Sequence, residues 1–85
     1  MSTSITGHYR PIHQIAEEIN REWTRPYFGA VPYIRALMAV SNVHDSYGAD
    51  PVTDLIRYFL SNATTWRGDV ARRIKAELKT ILKEV

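Results

Sequence analysis

Four cationic side chains near the C-terminus share one side of a predicted helix. At about 100° per residue they fall within about a quarter of the helix circumference, with no acid among them. We call them the basic stripe: Arg72, Lys75, Lys79 and Lys83. Such a row attracts phosphates or an acidic protein surface through its positive potential. We favour the alternative, a solvated helix face, because the helix dipole favours cations near a C-terminus. Both interpretations stay open.

Two more arginines of this helix have other interpretations. Arg67 follows Trp66 at the predicted helix start, where an arginine beside free backbone N–H groups suits an anion. Stacking on an aromatic ring, or covering the core with its aliphatic stem, explains Arg67 as well. Arg73 lies one turn before Glu77, so we expect these two side chains to pair.

Aromatic residues concentrate around the bend between the first two predicted helices. Tyr27, Phe28 and Tyr33 lie there with Gly29 and Pro32. They are consistent with a partner-binding knob or a dimer contact, but we favour a hydrophobic plug between the two helices, because large apolar side chains are usually buried. The candidate residues for one specific binding site are Arg67, Trp66, Tyr27, Phe28 and Tyr33.

The chain lacks the patterns that mark catalysis or metal binding. His8, His13 and His44 have no partner at metal-ligand spacing, and the segment 45–54 lacks the oxygen ligands of a calcium loop. There is no cysteine, no phosphate-binding glycine loop and no nucleophile motif. We therefore expect no metal, no cofactor and no enzymatic activity.

Proline positions and apolar spacing predict four helices, at about 11–24, 32–41, 51–62 and 65–84. Pro11, Pro32 and Pro51 mark three starts, because proline is tolerated in the first helical turn. The second helix is apolar nearly all round, which is typical of a buried element. The sequence thus predicts an all-α fold, a compact bundle of about four helices with the second one central.

Composition limits the organisation and location of the protein. With 85 residues and 45% hydrophobic content, the chain suits a single helical domain at 10–85, preceded by residues 1–9 as a candidate disordered N-terminus. The absence of cysteine, of an apolar signal region and of an apolar run of about 20 residues predicts a cytoplasmic protein without membrane contact. Nine aromatic residues in so short a chain favour a homo-oligomer.

Charge is distributed unevenly along the chain. The net charge is only +2, but residues 57–85 contain seven Lys and Arg against three acids. Residues 1–56 contain four Arg against six acids. This asymmetry supports an interaction role for the last helix.

Four stretches of the sequence resemble small uncharacterised proteins encoded by bacteriophages, particularly mycobacteriophage-like phages that infect actinobacteria. The stretches are Phe28–Tyr33, Arg57–Ala63, Trp66–Gly68 and Ala71–Leu78. The resemblance covers most of the chain from about Ile12 onward. It implies a phage gene product in the host bacterial cytoplasm that binds a host or phage component, and it assigns no role to individual residues.

These observations favour a non-enzymatic helical interaction protein that binds a host or phage macromolecule. The alternative is nucleic-acid binding, in which the basic stripe contacts the phosphate backbone. A third class, a small catalytic or ligand-sequestering protein, would need a pocket near Arg67, Trp66 and the aromatic bend.

Overall fold

In the computed structural model, which describes residues 9–84, four α-helices surround one core. They are α1 (Ile12–Glu22), α2 (Val31–Met38), α3 (Val52–Ser61) and α4 (Asp69–Glu84). The prediction of four helices is confirmed. The fold is mostly helical as predicted, but it is not purely all-α, because β1 (Ser46–Tyr47) and β2 (Asp50–Pro51) form an antiparallel pair between α2 and α3. The predicted disorder of the N-terminus, for residues 1–8, lies outside the described residues.

Proline sets the beginning of two helices. Pro11 and Pro51 each directly precede a helix, with ψ angles of 144° and 146°. Both residues are therefore extended, and they lie just outside the helices instead of in the first helical position. Pro32 lies inside the first turn of α2, where no intrahelical partner is needed for its missing N–H.

The predicted helix ends extend beyond the observed ones. The first helix ends at Glu22, because Trp23 leaves the helical region with a ψ angle of 85°. The last helix begins four residues later than predicted, at Asp69. Its start is displaced because Gly68 has a φ angle of +114°, which side-chain-bearing residues rarely adopt. Trp66 and Arg67 therefore precede α4 instead of forming its first turn.

The loop predicted between the second and third helices is more ordered than its composition indicates. Tyr47 pairs with Asp50 across a two-residue turn, which Gly48 permits with a φ angle of +64°. The Asn42 side chain accepts a hydrogen bond from the His44 backbone N–H at 2.8 Å. This segment fixes the position of Tyr47 on the surface.

Aromatic stacking lies at the centre of the core. The rings of Trp23 and Trp66 stack with centroids 5.5 Å apart, and Phe59 meets both edge-on. All three side chains are buried, and Phe59 is fully enclosed. Because aromatic pairs prefer such stacked and edge-on arrangements, this trio ties the end of α1 to α3 and to the loop before α4.

The second helix is less enclosed than predicted. It packs against α1 and α3, and α4 packs against the same two helices. Ile34 and Leu37 of α2 are buried, but Pro32, Arg35 and Ala39 are exposed. One side of α2 therefore belongs to the molecular surface. Within the described residues, no helix has the length and apolarity needed to cross a membrane.

Candidate functional site

The basic stripe lies along one side of α4, but its four cations are not equivalent. Arg72 forms an ion pair with Asp69, one turn earlier on the helix, and both side chains are exposed. Lys75 is partly buried and donates a hydrogen bond from Nζ to the backbone carbonyl of Trp66 at 2.6 Å. Lys79 and Lys83 are exposed and make no ion pair with a described residue.

Lys75 is the electrostatically perturbed member of the stripe. Partial burial lowers the pKa of its ammonium group, and the positive charges of Lys79 and Arg67 lower it further. Arg67 therefore lies close enough to act on Lys75, although eight residues separate them in the sequence. The structure therefore brings Arg67 near Lys75 of the basic stripe.

The structure separates Trp66 from Arg67, which the sequence had grouped. The Trp66 ring is buried and stacked on Trp23, so it offers no surface to a ligand. Its backbone carbonyl instead accepts the hydrogen bond from Lys75. Arg67 is exposed and makes no hydrogen bond or ion pair with a described residue.

The predicted pair between Arg73 and Glu77 is wrong. Arg73 donates to Glu18 of α1 at 2.5 Å, and Glu77 instead accepts two hydrogen bonds from Arg10, at 2.8 and 3.1 Å. Arg10 also donates to Glu18 at 2.8 Å. The four side chains form a continuous network that joins the segment before α1 to α1 and α4.

Opposite charges stabilise the ionised form of Glu18. The hydrogen bond from Arg73 lowers the pKa of its carboxyl group most, and Arg10 lowers it further, whereas burial acts in the opposite direction. The hydrogen bond to Glu77 raises the pKa of Arg10 above its usual value. This network is structural, because each of its charges already has a partner of opposite sign.

The aromatic bend does not form the predicted plug. The exposed fractions of Phe28 and Tyr27 are 79% and 46%, so the plug interpretation is wrong for both. A single 3-10 turn, Phe28–Ala30, buries only Ala30 and turns the Phe28 ring to solvent. The alternative that the sequence left open, an exposed aromatic knob, matches this geometry.

Further aromatic residues extend the knob into one surface. Tyr47 of the hairpin lines a shallow cleft with Phe28, Val31, Pro32 and Arg35. Tyr33 and Tyr58 contact each other, with ring centroids 5.6 Å apart. We define the aromatic surface as Tyr27, Phe28, Tyr33, Tyr47 and Tyr58.

Gly29 allows the Tyr27 ring of the aromatic surface to lie close to the end of α3, which carries Tyr58. A Cβ atom at this position would lie 2.6 Å from Cε2 of Tyr27 and 2.8 Å from Oδ1 of Asn62. Asn62 follows α3 and donates to the carbonyl of Tyr58 at 2.8 Å. The absence of a side chain at Gly29 thus lets the Tyr27 ring pack beside the end of α3 that carries Tyr58.

Sequence reasoning missed Tyr47, Tyr58 and Arg35 as members of this surface. Tyr58 lies beside the apolar arc of α3, and Tyr47 lies in a segment interpreted as a loop. The available signal was the exposed side of α2, where Arg35 interrupts an otherwise apolar helix. Arg35 makes no hydrogen bond or ion pair with a described residue.

A second concavity of about 430 Å³ lies where the start of α1 meets the loop after α2 and the end of α4. Arg10, His44 and Glu84 are its charged or titratable side chains, together with Tyr9. Arg10 is held by Glu18 and Glu77, so it is not available to a ligand. Among residues 9–84, no group of three His, Asp or Glu side chains is placed to hold a metal ion.

Comparison with known proteins gives no match: no protein-family model, curated protein or solved structure is significantly similar to this chain. Proposals about its function therefore rest on its residues and their geometry. The aromatic surface and the cations around Lys75 are the two features that the fold itself does not explain.

Proposed function

We propose that this chain is a small, phage-encoded, non-enzymatic interaction module that binds a protein partner through its aromatic surface. The observation that carries the proposal is the exposure of Phe28, 79%, beside three tyrosines that are each about half exposed. Large exposed apolar patches on soluble domains usually mark interaction sites. Aromatic and arginine side chains are also the types that contribute most to protein interfaces.

The cleft beside Phe28 indicates what the partner presents. It is lined by Phe28, Val31, Pro32 and Tyr47, and by Arg35, whose guanidinium makes no hydrogen bond or ion pair with a described residue. Apolar walls suit an apolar side chain, and a guanidinium binds a carboxylate through two parallel hydrogen bonds. The partner is therefore a protein segment that carries an apolar residue next to an acidic one.

Acidic residues around the aromatic surface argue against nucleic acid as its ligand. Asp50 lies opposite Tyr47 in the hairpin, and Asp54 pairs with Arg57 in the first turns of α3. Asp54 is neutralised by Arg57, but Asp50, which makes no ion pair with a described residue, would repel the closely spaced charges of a phosphate backbone. Binding of a nucleic-acid backbone along the basic stripe is the less supported alternative, because Arg72 is already paired with Asp69.

The phage origin and the bacterial cytoplasm belong to this proposal. They are supported by the resemblance of four sequence stretches to phage proteins, and a host or phage protein follows as the partner. A second copy of the chain is the alternative occupant of the surface, which the predicted homo-oligomer implies. The experiment below separates these two occupants.

Phe28→Ala and Tyr47→Ala remove the exposed rings without touching the buried core. A central aromatic anchor contributes about 2 kcal/mol or more to binding, so each variant should weaken association about 30-fold. Light scattering over a range of concentrations measures self-association, and affinity capture from a host lysate measures a heterologous partner. Leu82→Ala is the control, because it removes a partly buried apolar side chain of α4 that lies outside the aromatic surface, and circular dichroism confirms that each variant is folded.

The outcomes separate the occupants. If the wild type self-associates and Phe28→Ala does not, the partner is a second copy of the chain. A monomeric wild type that captures a protein, with capture lost in both variants, identifies a heterologous partner. The proposal is contradicted if both variants associate or capture a partner as well as the wild type does. It is also contradicted if the wild type is a monomer that captures nothing.

A further inference from the structure

Three cations lie near the place where the loop before α4 meets the side of that helix. Lys75 contacts the carbonyl of Trp66, the residue directly before Arg67. Lys79 follows Lys75 by one helical turn, so their side chains are neighbours on the same side of α4. We call Arg67, Lys75 and Lys79 the cation cluster. Lys75 and Lys79 also belong to the basic stripe, whereas Arg67 lies in the loop before α4.

No described carboxylate neutralises the cation cluster. Asp69 is held by Arg72, and Glu77 is held by Arg10 on the far side of α4. Glu84 lies half a turn around the helix from Lys75, at about 180° by helical spacing. The mutual repulsion of three unpaired cations is unfavourable, and a bound anion would relieve it.

The position of Lys75 is fixed before any ligand binds. Its ammonium group donates one hydrogen bond to the Trp66 carbonyl, and that residue is held in place by its buried, stacked ring. An ammonium group has three N–H donors, so two remain for a ligand. The lowered pKa of Lys75, caused by burial and then by Lys79 and Arg67, agrees with this crowding of positive charge.

The space beside the cluster is open. Apart from its two chain neighbours, Arg67 and Asp69, no residue has an atom within 4 Å of the position that a Cβ atom would occupy at Gly68. A ligand therefore reaches the cations from solvent without displacing a side chain at this position.

We infer that Arg67, Lys75 and Lys79 bind a phosphate monoester group. Three neighbouring cations match a group that carries a charge of about −1.5 to −2 and three strong acceptor oxygens. A single carboxylate offers one charge and would leave the repulsion only partly relieved. The site is distinct from the aromatic surface, because no residue belongs to both.

The remaining cations of the basic stripe are not part of this site. Arg72 already has Asp69 as its partner, and Lys83 lies a further turn along α4 from Lys79. The geometry therefore favours one focused anion site over a row of equal phosphate contacts. This difference makes Lys83 a matched control for Lys79.

Binding is tested by titrating the full chain with inorganic phosphate, phosphoserine and a nucleoside monophosphate, with acetate as the singly charged control. Nuclear magnetic resonance shifts of the backbone amides around Gly68 and of the lysine side chains report the site. We expect Lys75→Met and Lys79→Met to lower phosphate affinity about tenfold or more, since hydrogen bonds to charged groups contribute about 1.5–3 kcal/mol. Lys83→Met and Arg21→Gln should leave it within about twofold of wild type.

The three phosphate probes distinguish the source of the group. Preference for phosphoserine indicates a phosphorylated protein, and preference for the nucleoside monophosphate indicates a nucleotide. Circular dichroism confirms that each variant is folded, and Lys79→Arg, which keeps the charge, should retain most of the affinity.

Several results would overturn the inference. One is acetate binding as tightly as phosphate, and another is an equal loss in Lys79→Met and Lys83→Met. Tighter binding of duplex DNA without terminal phosphates, with log affinity falling by about 0.9 per contact against log salt, would instead assign the stripe to a nucleic-acid backbone. Absence of binding by every probe would also refute the site.

Discussion

Replacing Glu18 with glutamine removes the charge at the centre of the ion-pair network and keeps the shape of the side chain. The Glu18 side chain is only 15% exposed and accepts from Arg10 and Arg73. The Arg73 side chain is 53% exposed, so its pair with Glu18 contributes about 0.5 kcal/mol to the free energy of unfolding. Arg10 is less exposed and also bound to Glu77, so its pair contributes about 1–1.5 kcal/mol.

The expected loss for Glu18→Gln is therefore about 1.5–2 kcal/mol. For a domain of this size, that lowers the midpoint of thermal unfolding by about 6–16 °C. Urea and thermal unfolding followed by circular dichroism at neutral pH measure the change. Glu17→Gln is the matched control, because the Glu17 side chain is 52% exposed and, among the described residues, pairs only with His13, at 3.6 Å. Its effect should stay within about 0.5 kcal/mol.

The pH dependence provides a sharper test of the same network. Arg73 and Arg10 hold the pKa of Glu18 below its ordinary value of 4.5. A lowered carboxyl pKa contributes stability that is fully present above the unfolded-state value and is lost as the pH falls through the folded-state value. The difference in the free energy of unfolding between wild type and Glu18→Gln should therefore be largest at neutral pH and disappear in acid. A difference that persists unchanged in acid, or equal losses in Glu17→Gln and Glu18→Gln, would refute the reasoning.

Three other substitutions test the core and the two surfaces. Gly29→Ala should displace the Tyr27 ring and weaken partner binding while the helices stay intact, which ring proton shifts and capture experiments measure. The pKa of Lys75, measured by nuclear magnetic resonance, should lie below 10.5 and rise in Lys79→Met, since one repelling charge is removed. Phe59→Ala should cost about 3–5 kcal/mol, because the ring is fully buried between two tryptophans, and red-shifted tryptophan emission reports the loosened core.

The helices were predictable because their signals are local. The apolar spacing of α1 and α4 and the prolines before α1 and α3 depend on neighbours within one or two turns. The start of α4 was missed because Trp66 continues the apolar spacing of the helix, although its ring packs on Trp23 from the turn before α4. The hairpin was missed because each of its strands has only two residues.

The arrangement of charges was less predictable because its partners are distant in the sequence. Arg10 and Glu77 are 67 residues apart, and Arg73 and Glu18 are 55 residues apart. Helical spacing suggests only the neighbouring pair of Arg73 and Glu77, which the tertiary packing of α1 against α4 overrides. Exposure of Phe28 was equally hidden, since the sequence carries no sign of which side of a bend faces solvent.

The aromatic surface and the cation cluster are built by different elements, and this separation itself can be tested. The first comes from the bend, the hairpin and the exposed sides of α2 and α3, and the second from α4 and the residue after Trp66. The free-energy effects of substitutions at distant sites that share no partner are additive. Phe28→Ala should therefore leave phosphate affinity unchanged, and Lys79→Met should leave protein binding unchanged. A cross effect in either measurement would mean that one partner covers both surfaces, as a phosphorylated protein with an apolar anchor would.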